Sequence, residues 1–294
     1  MNLTTALTGI TSLFLKLRKK INKIFFFDNS DSSSFLNYDV IDYVDLYFKS
    51  QILKDLNHYK RQIYGHRLYT QFYFANYGIK DRQSDSSKKL KVKQIRKIKL
   101  SWNSGLSDYS FLGPTKKLFY NLFPIKLFLG DFKLDVEQVK PKKIDVNLRM
   151  NLDYDRKTIS YHRNKMVAPF DLPKFKINRY QYFKELENSK IVLSPYGWGE
   201  INFRDYETFS IGALLVKPKM NHMHTWPDFF VNKKTYFGVD WHFEDIKQIV
   251  QNLLDNYDDF SNIAINGKQN YLKWKRTSYL EENFLQYFKN NIIP

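Results

Sequence analysis

Cysteine is absent from the 294-residue sequence. This absence excludes disulfide bonds, thiol catalysis and cysteine-based metal sites. It is compatible with a protein that resides in a reducing compartment. The sequence also lacks the signatures of a Walker A loop, a zinc enzyme and a hydrolase nucleophile elbow. No apolar run is long enough to predict a helix that spans a membrane. These absences remove several common classes of protein from consideration.

Aromatic residues and positive charge are, by contrast, abundant. Hydrophobic residues make up 43% of the chain and aromatic residues 17%, which suffices for a packed core in one large or two ordinary domains. The net charge is +17, and the isoelectric point is about 9.6. This charge favours polyanionic partners such as nucleotide phosphates, an anionic membrane or nucleic acid. The alternative is a solvated basic surface with no dedicated partner.

Residues 1–27 predict an amphipathic helix. The apolar residues that share one helical stripe are Leu3, Leu7, Ile10, Phe14, Leu17, Ile21 and Ile24. Basic residues follow the apolar stretch instead of preceding it, which argues against a secretory signal. Such a helix either lies on anionic lipid or packs on the body of the protein. We expect a cytoplasmic protein, peripheral on the inner face of a membrane under the first alternative.

Residues 28–140 are predicted to form an N-terminal domain. The cluster Asp28–Ser34 predicts a linker, and Tyr38–Tyr77 has a roughly helical rhythm. The dense Tyr and His residues of that helical segment either line a ligand cleft or pack in the core. In Lys88–Lys99, basic residues alternate with apolar ones, which predicts a strand edge protected by lysine. RNA binding is the alternative there, although no nucleic-acid module is recognised.

A second domain is predicted over residues 141–294. The segment Val139–Lys143, which contains a proline, is the predicted boundary, and Ile144–Leu148 is the expected first strand. Two closing helices are predicted within Asp245–Tyr257 and Tyr271–Phe288, where apolar residues recur at helical spacing.

The stretch Ile191–Pro218 predicts strand, glycine loop, helix and strand in succession. Ile191–Leu193 is a short apolar run typical of a buried parallel strand. The loop ends in Gly197-Trp198-Gly199. A helix is expected over Glu200–Ile211, with Gly212 as its C-cap. Ala213–Val216 are expected to form the second strand. A glycine loop before a helix predicts an anion site formed by backbone N–H groups. A plain α/β crossover without a ligand is the alternative.

Side chains near this loop add chemistry to it. Arg204, one turn into the helix, could hold a diphosphate with its planar guanidinium, and Glu207 suits the hydroxyls of a ribose. His162 and Arg163 are expected in a basic turn, where Arg163 could face the same diphosphate or lie on the surface.

Two further patterns suggest metal binding only weakly. Asp153-Tyr-Asp155 has the spacing of carboxylates that hold a divalent cation. His222 and His224 have no carboxylate cluster at a suitable spacing, so a loop over residues 221–227 is expected instead.

The loop and helix resemble a known family. Gly197-Trp-Gly199, followed by Glu207-Thr-Phe-Ser-Ile-Gly212 and an apolar strand, resembles the nucleotide-sugar-binding half of GT-B glycosyltransferases of group 1. The tract Tyr182–Gly212 also resembles exostosin-like domains. The residues that match the exostosin-like pattern are Ser189-Lys190, Pro195, Gly197, Phe203-Arg204, Glu207 and Gly212. The resemblance covers about residues 142–256.

This resemblance implies an α/β, GT-B-like protein of two Rossmann-like halves. The N-terminal half, on the acceptor side, would be reduced or irregular. The C-terminal half would bind the nucleotide sugar and would be a parallel sheet flanked by helices. The implied activity is metal-independent transfer of a sugar from a nucleotide-diphosphate donor to a glycan or glycolipid hydroxyl, in surface glycan synthesis. Glu207 would bind the donor ribose, and Arg204 would stabilise the leaving diphosphate. The residues implied to meet the diphosphate beside Arg204 are Gly197, Trp198, Gly199 and Glu200. No cofactor is implied, because the nucleotide sugar is a substrate.

The alternative function is a basic membrane- or RNA-docking module with a degenerate glycosyltransferase-like domain. If the chain is an inverting enzyme, it needs a general base at the acceptor hydroxyl. The open candidates for that base are Asp39, Asp55, His58, His66 and Asp108.

Overall fold

The protein has an α/β architecture in which parallel strands are flanked by helices. The structure is a computed structural model that describes residues 12–82, 85–119, 141–173 and 175–292. The strands are β1 (Phe25–Asp28), β2 (Leu46–Lys49), β3 (Gln51–Leu53), β4 (Ile98–Leu100), β5 (Ile144–Asn147), β6 (Ser189–Leu193), β7 (Leu214–Pro218), β8 (Met223–Thr225) and β9 (Phe237–Val239). The helices are α1 (12–18), α2 (Tyr38–Ile41), α3 (Leu68–Tyr77), α4 (Val92–Ile95), α5 (Gly113–Phe119), α6 (Lys157–Val167), α7 (Arg179–Glu187), α8 (Phe203–Ile211), α9 (Ile246–Asp255), α10 (Tyr257–Lys273) and α11 (Thr277–Asn291).

Contacts divide the chain into two compact units. The first unit contains the residues up to Asn103 together with Asp155–Thr158 and Asn221–Trp226. The second contains Ser104–Tyr154, Ile159–Met220 and the residues from Pro227 onward. The predicted boundary at residues 139–143 begins outside the described residues.

The first unit is built on a parallel sheet of three strands. β2 lies in the middle, with Phe25 opposite Leu46 on one side and Tyr47 opposite Ile98 on the other. β3 and β8 form a separate antiparallel pair. The most deeply buried apolar side chains of this unit's core are Leu36, Ile41, Val44, Tyr47, Leu53 and Tyr59.

The predicted helix over Tyr38–Tyr77 is wrong for most of its length. Only α2 and α3 are α-helical within it, and β2 and β3 lie between them. In β2, three consecutive residues are buried, so both faces of the strand are covered. A short apolar run of this kind fits a helical and a strand period equally well, which explains the error.

The predicted linker Asp28–Ser34 is also wrong, because most of this segment is buried in the first unit and only Asn29 and Asp31 of it are exposed. Ser32, Ser33 and Ser34 are fully buried. Asp28 accepts hydrogen bonds from the hydroxyl of Tyr47 and from Lys49 Nζ, which lies 3.4 Å away. Burial opposes ionisation of Asp28, but Lys49 and the hydrogen bonds hold the pKa of its carboxyl below the ordinary value. The polar segment can be buried because its groups find partners inside the unit.

The N-terminal helix prediction is supported over a shorter range. Residues 1–11 lie outside the described residues, α1 covers 12–18, and the chain has become a strand by Phe25. Over the described ranges, no helix is both long and apolar enough to cross a membrane.

Two further segments of the first unit differ from their predictions. The alternating stretch Lys88–Lys99 contains the short helix α4 and reaches strand β4 only at Ile98, so it is not one strand edge. The predicted loop over residues 221–227 contains strand β8, which pairs with β3. Pairing with β2 and β3, which are distant in the sequence, places β4 and β8, whereas the start of α4 is capped locally by Gln94.

The second unit contains a parallel sheet in the order β5-β6-β7-β9. Val192 lies opposite Leu215, and Val216 lies opposite Phe237. The predicted strands at Ile144–Leu148 and Ile191–Leu193 are confirmed, and the predicted second strand of the crossover is β7. The sheet core is fully apolar at Ile191–Leu193 and Leu214–Val216.

Helix α8 links β6 to β7, as the crossover prediction requires. It begins at Phe203 instead of Glu200, because Asn202 occupies the N-cap position. Gly212 has φ +74°, which is left-handed and confirms its role as the C-cap. Helix α9 confirms the prediction for residues 245–257, and the last predicted helix corresponds to the end of α10 together with α11.

Lys275 lies just after α10 and is 8% exposed. Its Nζ donates to the carbonyls of Gly105 and Ser107 at 2.5 and 2.6 Å, and it lies 4.3 Å from the centre of the Tyr271 ring. Burial lowers the pKa of this lysine to about 7, against the opposing charge of Asp108. One ammonium group therefore ties the chain at residues 105–107 to the end of α10.

We expect the free energy of unfolding to depend on pH through Lys275. Between pH 7 and 10.5 the unfolded chain binds a proton at this residue that the folded chain does not, so stability should rise with pH by up to about 1.4 kcal/mol per pH unit. Chemical denaturation of Lys275→Met between pH 6.5 and 9 should show a smaller rise. Lys273→Met serves as the control, and an equal loss of slope in both variants would contradict the prediction.

Candidate functional site

The carboxyl edge of the second unit's sheet carries the residues that the sequence singled out. The parallel strands β5, β6 and β7 end at Asn147, Leu193 and Pro218. In open α/β sheets, ligands bind outside the carboxyl ends of the strands. The glycine loop leaves β6 at Ser194 and enters α8 at Phe203, so it lies at this edge.

Tyr196 anchors the glycine loop to its surroundings. Its N–H donates to His162 Nε2 at 2.9 Å, and its hydroxyl donates to the carbonyl of Lys219 at 2.6 Å. Its carbonyl accepts a hydrogen bond of 2.9 Å from Arg163 Nη1. Because Nε2 accepts, His162 must be neutral with its proton on Nδ1, and burial lowers its pKa well below the ordinary value. The loop is therefore held in one conformation.

Gly197 allows the loop to close tightly on itself. Its N–H donates to the Gly199 carbonyl at 3.0 Å, and a Cβ at this position would lie only 3.0 Å from Asn202 Oδ1 and 3.6 Å from Arg163 Nη1. Asn202 Nδ2 closes the ring with a 2.7 Å bond to the Pro195 carbonyl. Close packing, not a left-handed conformation, accounts for this glycine.

A buried charge pair lies under the loop. Lys217 and Asp205 are both fully buried and form an ion pair through Lys217 Nζ and Asp205 Oδ2. Lys217 Nζ also donates to the Glu200 carbonyl at 2.7 Å. Asp205 accepts from Ser194 Oγ at 2.6 Å and from the N–H of Asn202 at 2.9 Å. One pair of charges thus joins strand β7, helix α8 and both ends of the loop.

Sequence reasoning missed Lys217 and Asp205. A signal existed for each of them. Asp205 stands three residues after Asn202, which is the spacing of a capping box, and Lys217 is a charged residue in an otherwise apolar strand. Burial lowers the pKa of Lys217, and the negative charges of Asp205 and Glu200 oppose that shift.

Arg163 and His162 lie in helix α6, so the predicted basic turn is wrong. Arg163 is 6% exposed and donates Nε to the Asn151 carbonyl at 2.6 Å in addition to its bond with Tyr196. Arg163 lies beside Gly197, where an added Cβ would be 3.6 Å from Nη1. Its guanidinium supports the loop through backbone carbonyls from within the fold.

Arg204 and Glu207 lie together on α8, where both contact Tyr182 of α7. Arg204 Nη1 donates to Asn147 Oδ1 at 3.2 Å, and its guanidinium lies 5.5 Å from the centre of the Tyr182 ring. Glu207 Oε2 accepts from the Tyr182 hydroxyl at 3.0 Å, and Oε1 lies 3.4 Å from Arg179 Nη1. Burial raises the pKa of Tyr182, so its hydroxyl remains a donor. Tyr182 and Asn147 were not singled out by the sequence.

The remaining loop residues differ in exposure. Trp198 is 42% exposed, and its ring lies 6.3 Å from that of Tyr154. Gly199 and Glu200 are buried, and Glu200 is fully so. Of the loop side chains predicted to bind a ligand, Trp198 is thus the accessible one.

Metal ligands are not clustered in the part of the chain that the structure describes. No group of three His, Asp or Glu residues within those ranges could hold a metal ion. Asp153 and Asp155, which have the spacing of metal-binding carboxylates, belong to no such group.

The Lys217–Asp205 pair should be essential for stability. We expect Lys217→Met to lower the free energy of unfolding by about 3–5 kcal/mol in urea denaturation, because Asp205 would remain buried without its counter-charge. Lys219→Met is the matched control, since its pair with Asp240 is 41% and 70% exposed and should contribute less than about 1 kcal/mol. Equal losses in the two variants would show that the buried pair has no special role.

Comparison with protein-family models and with curated proteins finds no match to this chain.

Proposed function

We propose that this protein is a GT-B-like glycosyltransferase that moves a sugar from a nucleotide-diphosphate donor to a hydroxyl of a glycan or glycolipid. One observation carries the proposal. A rigid glycine loop at the carboxyl end of a parallel strand enters a helix that carries Arg204 and Glu207 on the side of Tyr182. Diphosphates commonly bind at this place in parallel α/β folds, because the helix N-terminus and the loop amides favour negative charge.

Arg204 is the best candidate for stabilising the leaving diphosphate. Its protein partners are the neutral amide of Asn147 and the ring of Tyr182, and no carboxylate of the described residues forms an ion pair with it. A guanidinium without a counter-charge can form a bidentate contact with a phosphate at little electrostatic cost. Arg163 is less suitable, because it is buried and holds the carbonyls of Asn151 and Tyr196.

Glu207 is suited to bind the donor ribose. Its carboxylate has about four lone-pair sites, of which Tyr182 and Arg179 use two. The Arg179 side chain is 41% exposed, so its ion pair contributes at most about 1 kcal/mol and can be exchanged for ribose hydroxyls. The diphosphate and the ribose would then lie along one face of α8.

A second candidate function is docking on an anionic surface such as a membrane or RNA. The observation in its favour is a run of exposed basic side chains in the first unit. These side chains are Lys88, Lys89, Lys91, Lys93, Arg96 and Lys99. Such charge alone supports weak, salt-dependent binding without sequence or ligand specificity.

Thermal stability in the presence of ligands distinguishes the two candidates. We expect UDP or GDP to raise the melting temperature of the full chain, because a ligand that binds only the folded state stabilises it. Stabilisation by RNA or anionic vesicles and by neither nucleotide would support the docking function and contradict the transferase.

Substitutions test the two roles separately. Arg204→Ala should lower turnover by roughly a hundredfold or more, as does the loss of one oxyanion donor. Glu207→Ala should mainly weaken nucleotide binding in calorimetry, since it contacts the ribose and not the reacting bond. Arg276→Ala removes the same charge elsewhere in the second unit and should leave both measurements unchanged. Full turnover in Arg204→Ala would contradict the role of Arg204 in stabilising the leaving diphosphate. Unchanged nucleotide affinity in Glu207→Ala would contradict the role of Glu207 in binding the ribose.

A further inference from the structure

The first unit contains a pocket between helix α2 and the segment that leads into helix α4. Its volume is about 420 Å³, which lies in the usual range for small-molecule sites. The residues that line it are Tyr38, Asp39, Asp42, Tyr43, Lys88, Lys89, Leu90 and Gln94. The glycine loop and helix α8 belong to the other unit, so this pocket is no part of the candidate site described above.

Helix α2 supplies two carboxylates to the pocket. Asp39 lies in the helix and Asp42 is its C-cap, three residues later, so the two are neighbours on the helix surface. Asp39 Oδ1 accepts from Lys88 Nζ at 2.9 Å, and Asp42 Oδ1 accepts from Gln94 Nε2 at 2.9 Å. Among the described residues neither carboxylate has a further partner, so each keeps its Oδ2 for a ligand.

The segment that precedes α4 supplies two ammonium groups. Lys89 is exposed and forms no hydrogen bond or ion pair with any residue of the described ranges. Lys88 uses one of its three N–H groups for Asp39, and the side chains of this pair are 67% and 51% exposed. Ion pairs that are this exposed contribute little to stability, so a ligand can exchange the pair at little cost.

The remaining lining is held in place by the fold. Leu90 is buried and forms the apolar base of the pocket. The ring of Tyr43 is stacked on that of Phe14 in α1, with centroids 6.2 Å apart and planes inclined by 16°. Gln94 is fixed at both ends of its amide, since its Oε1 also accepts from the N–H of Lys91 at 2.7 Å. A lining that is ordered beforehand binds a ligand without a large entropic cost.

The charges of the lining determine the class of ligand that it suits. Two carboxylates and two ammonium groups make the pocket electrically neutral, with each sign on a different segment of the chain. A phosphate or nucleotide would meet the carboxylates, and a polyamine would meet the ammonium groups. An uncharged sugar would displace water from all four charges without supplying a counter-charge. A zwitterion supplies one charge of each sign, as the two segments require.

We propose that this pocket binds a free amino acid with an apolar or aromatic side chain. The ammonium group of the ligand would pair with the two aspartates, and its carboxylate with the two lysines. Its side chain would pack against Leu90 and the two tyrosine rings, which also attract an ammonium group through their faces. This inference does not depend on the proposed transferase function, because it uses no residue of the second unit.

The direct test is calorimetry on the full chain with L-phenylalanine, L-tyrosine, L-leucine and L-methionine. We expect at least one of them to bind with a millimolar Kd or lower. N-acetyl-L-phenylalanine lacks the ammonium group and L-phenylalaninamide lacks the carboxylate, so each should bind roughly tenfold more weakly than L-phenylalanine. Absence of binding by all four amino acids, or equal binding of L-phenylalanine and its two blocked forms, would overturn the proposal.

Variants assign each end of the ligand to one segment. Asp39→Asn and Lys89→Gln change exposed side chains, so both should fold normally and weaken L-phenylalanine binding by several fold. Asp39→Asn should also reduce the preference over N-acetyl-L-phenylalanine, whereas Lys89→Gln should reduce the preference over L-phenylalaninamide. Asp31→Asn and Lys54→Gln, which change exposed charges elsewhere in the first unit, are the controls. Unchanged affinity in both pocket variants would place the amino acid elsewhere and refute the proposal.

Discussion

The buried ion pair between Lys217 and Asp205 is the interaction on which the geometry of the candidate site depends. It joins the end of β7 to the first turn of α8, and the hydrogen bonds from Ser194 and to the Glu200 carbonyl extend it to both ends of the glycine loop. Removal of two charges from water is costly, and such a pair is tolerated only when each atom has a partner. The loop is thus held by the very interactions that make the burial of these charges possible.

The first unit shows the same arrangement at the carboxyl edge of its own sheet. Lys49 at the end of β2 is fully buried and meets Asp28 at the end of β1, and Ser30 supplies further acceptors. Ser32, Ser33 and Ser34, which follow in the same segment, are buried as well. In each unit, therefore, a buried lysine that is the last or the penultimate residue of a parallel strand forms an ion pair with a buried aspartate, and a loop is held by the pair. Buried charges at strand ends constrain loops more strongly than apolar contacts do, because a displaced partner leaves an unpaired charge behind.

The elements that were predicted correctly are those with a local cause. Strands β6 and β7 contain short apolar runs, and Gly212 ends α8 with the left-handed conformation that glycine adopts readily. Predictions failed where burial was decided at a distance. The apolar residues of Tyr38–Tyr77 recur at helical spacing, although this segment contains strands β2 and β3. Strand β2 pairs with β1 and β4, and strand β3 pairs with β8. Arg163 was expected in a basic turn, facing a diphosphate or on the surface, but it lies buried in a helix and donates to backbone carbonyls.

The sequence by itself determined the α/β class and the crossover from β6 through α8 to β7. It also singled out Gly197, Arg204 and Glu207 as candidate site residues. These features could be predicted because apolar strand runs, glycine turns and helix caps depend on residues that are adjacent in the sequence. Only the tertiary structure decided which charges are neutralised and which remain available. Arg163 and Arg204 are the same residue type, yet one is buried among carbonyls and the other faces a neutral amide and a ring. The physical reason is that the environment of a charge depends on groups brought together by folding, and those groups lie up to tens of residues apart in the chain.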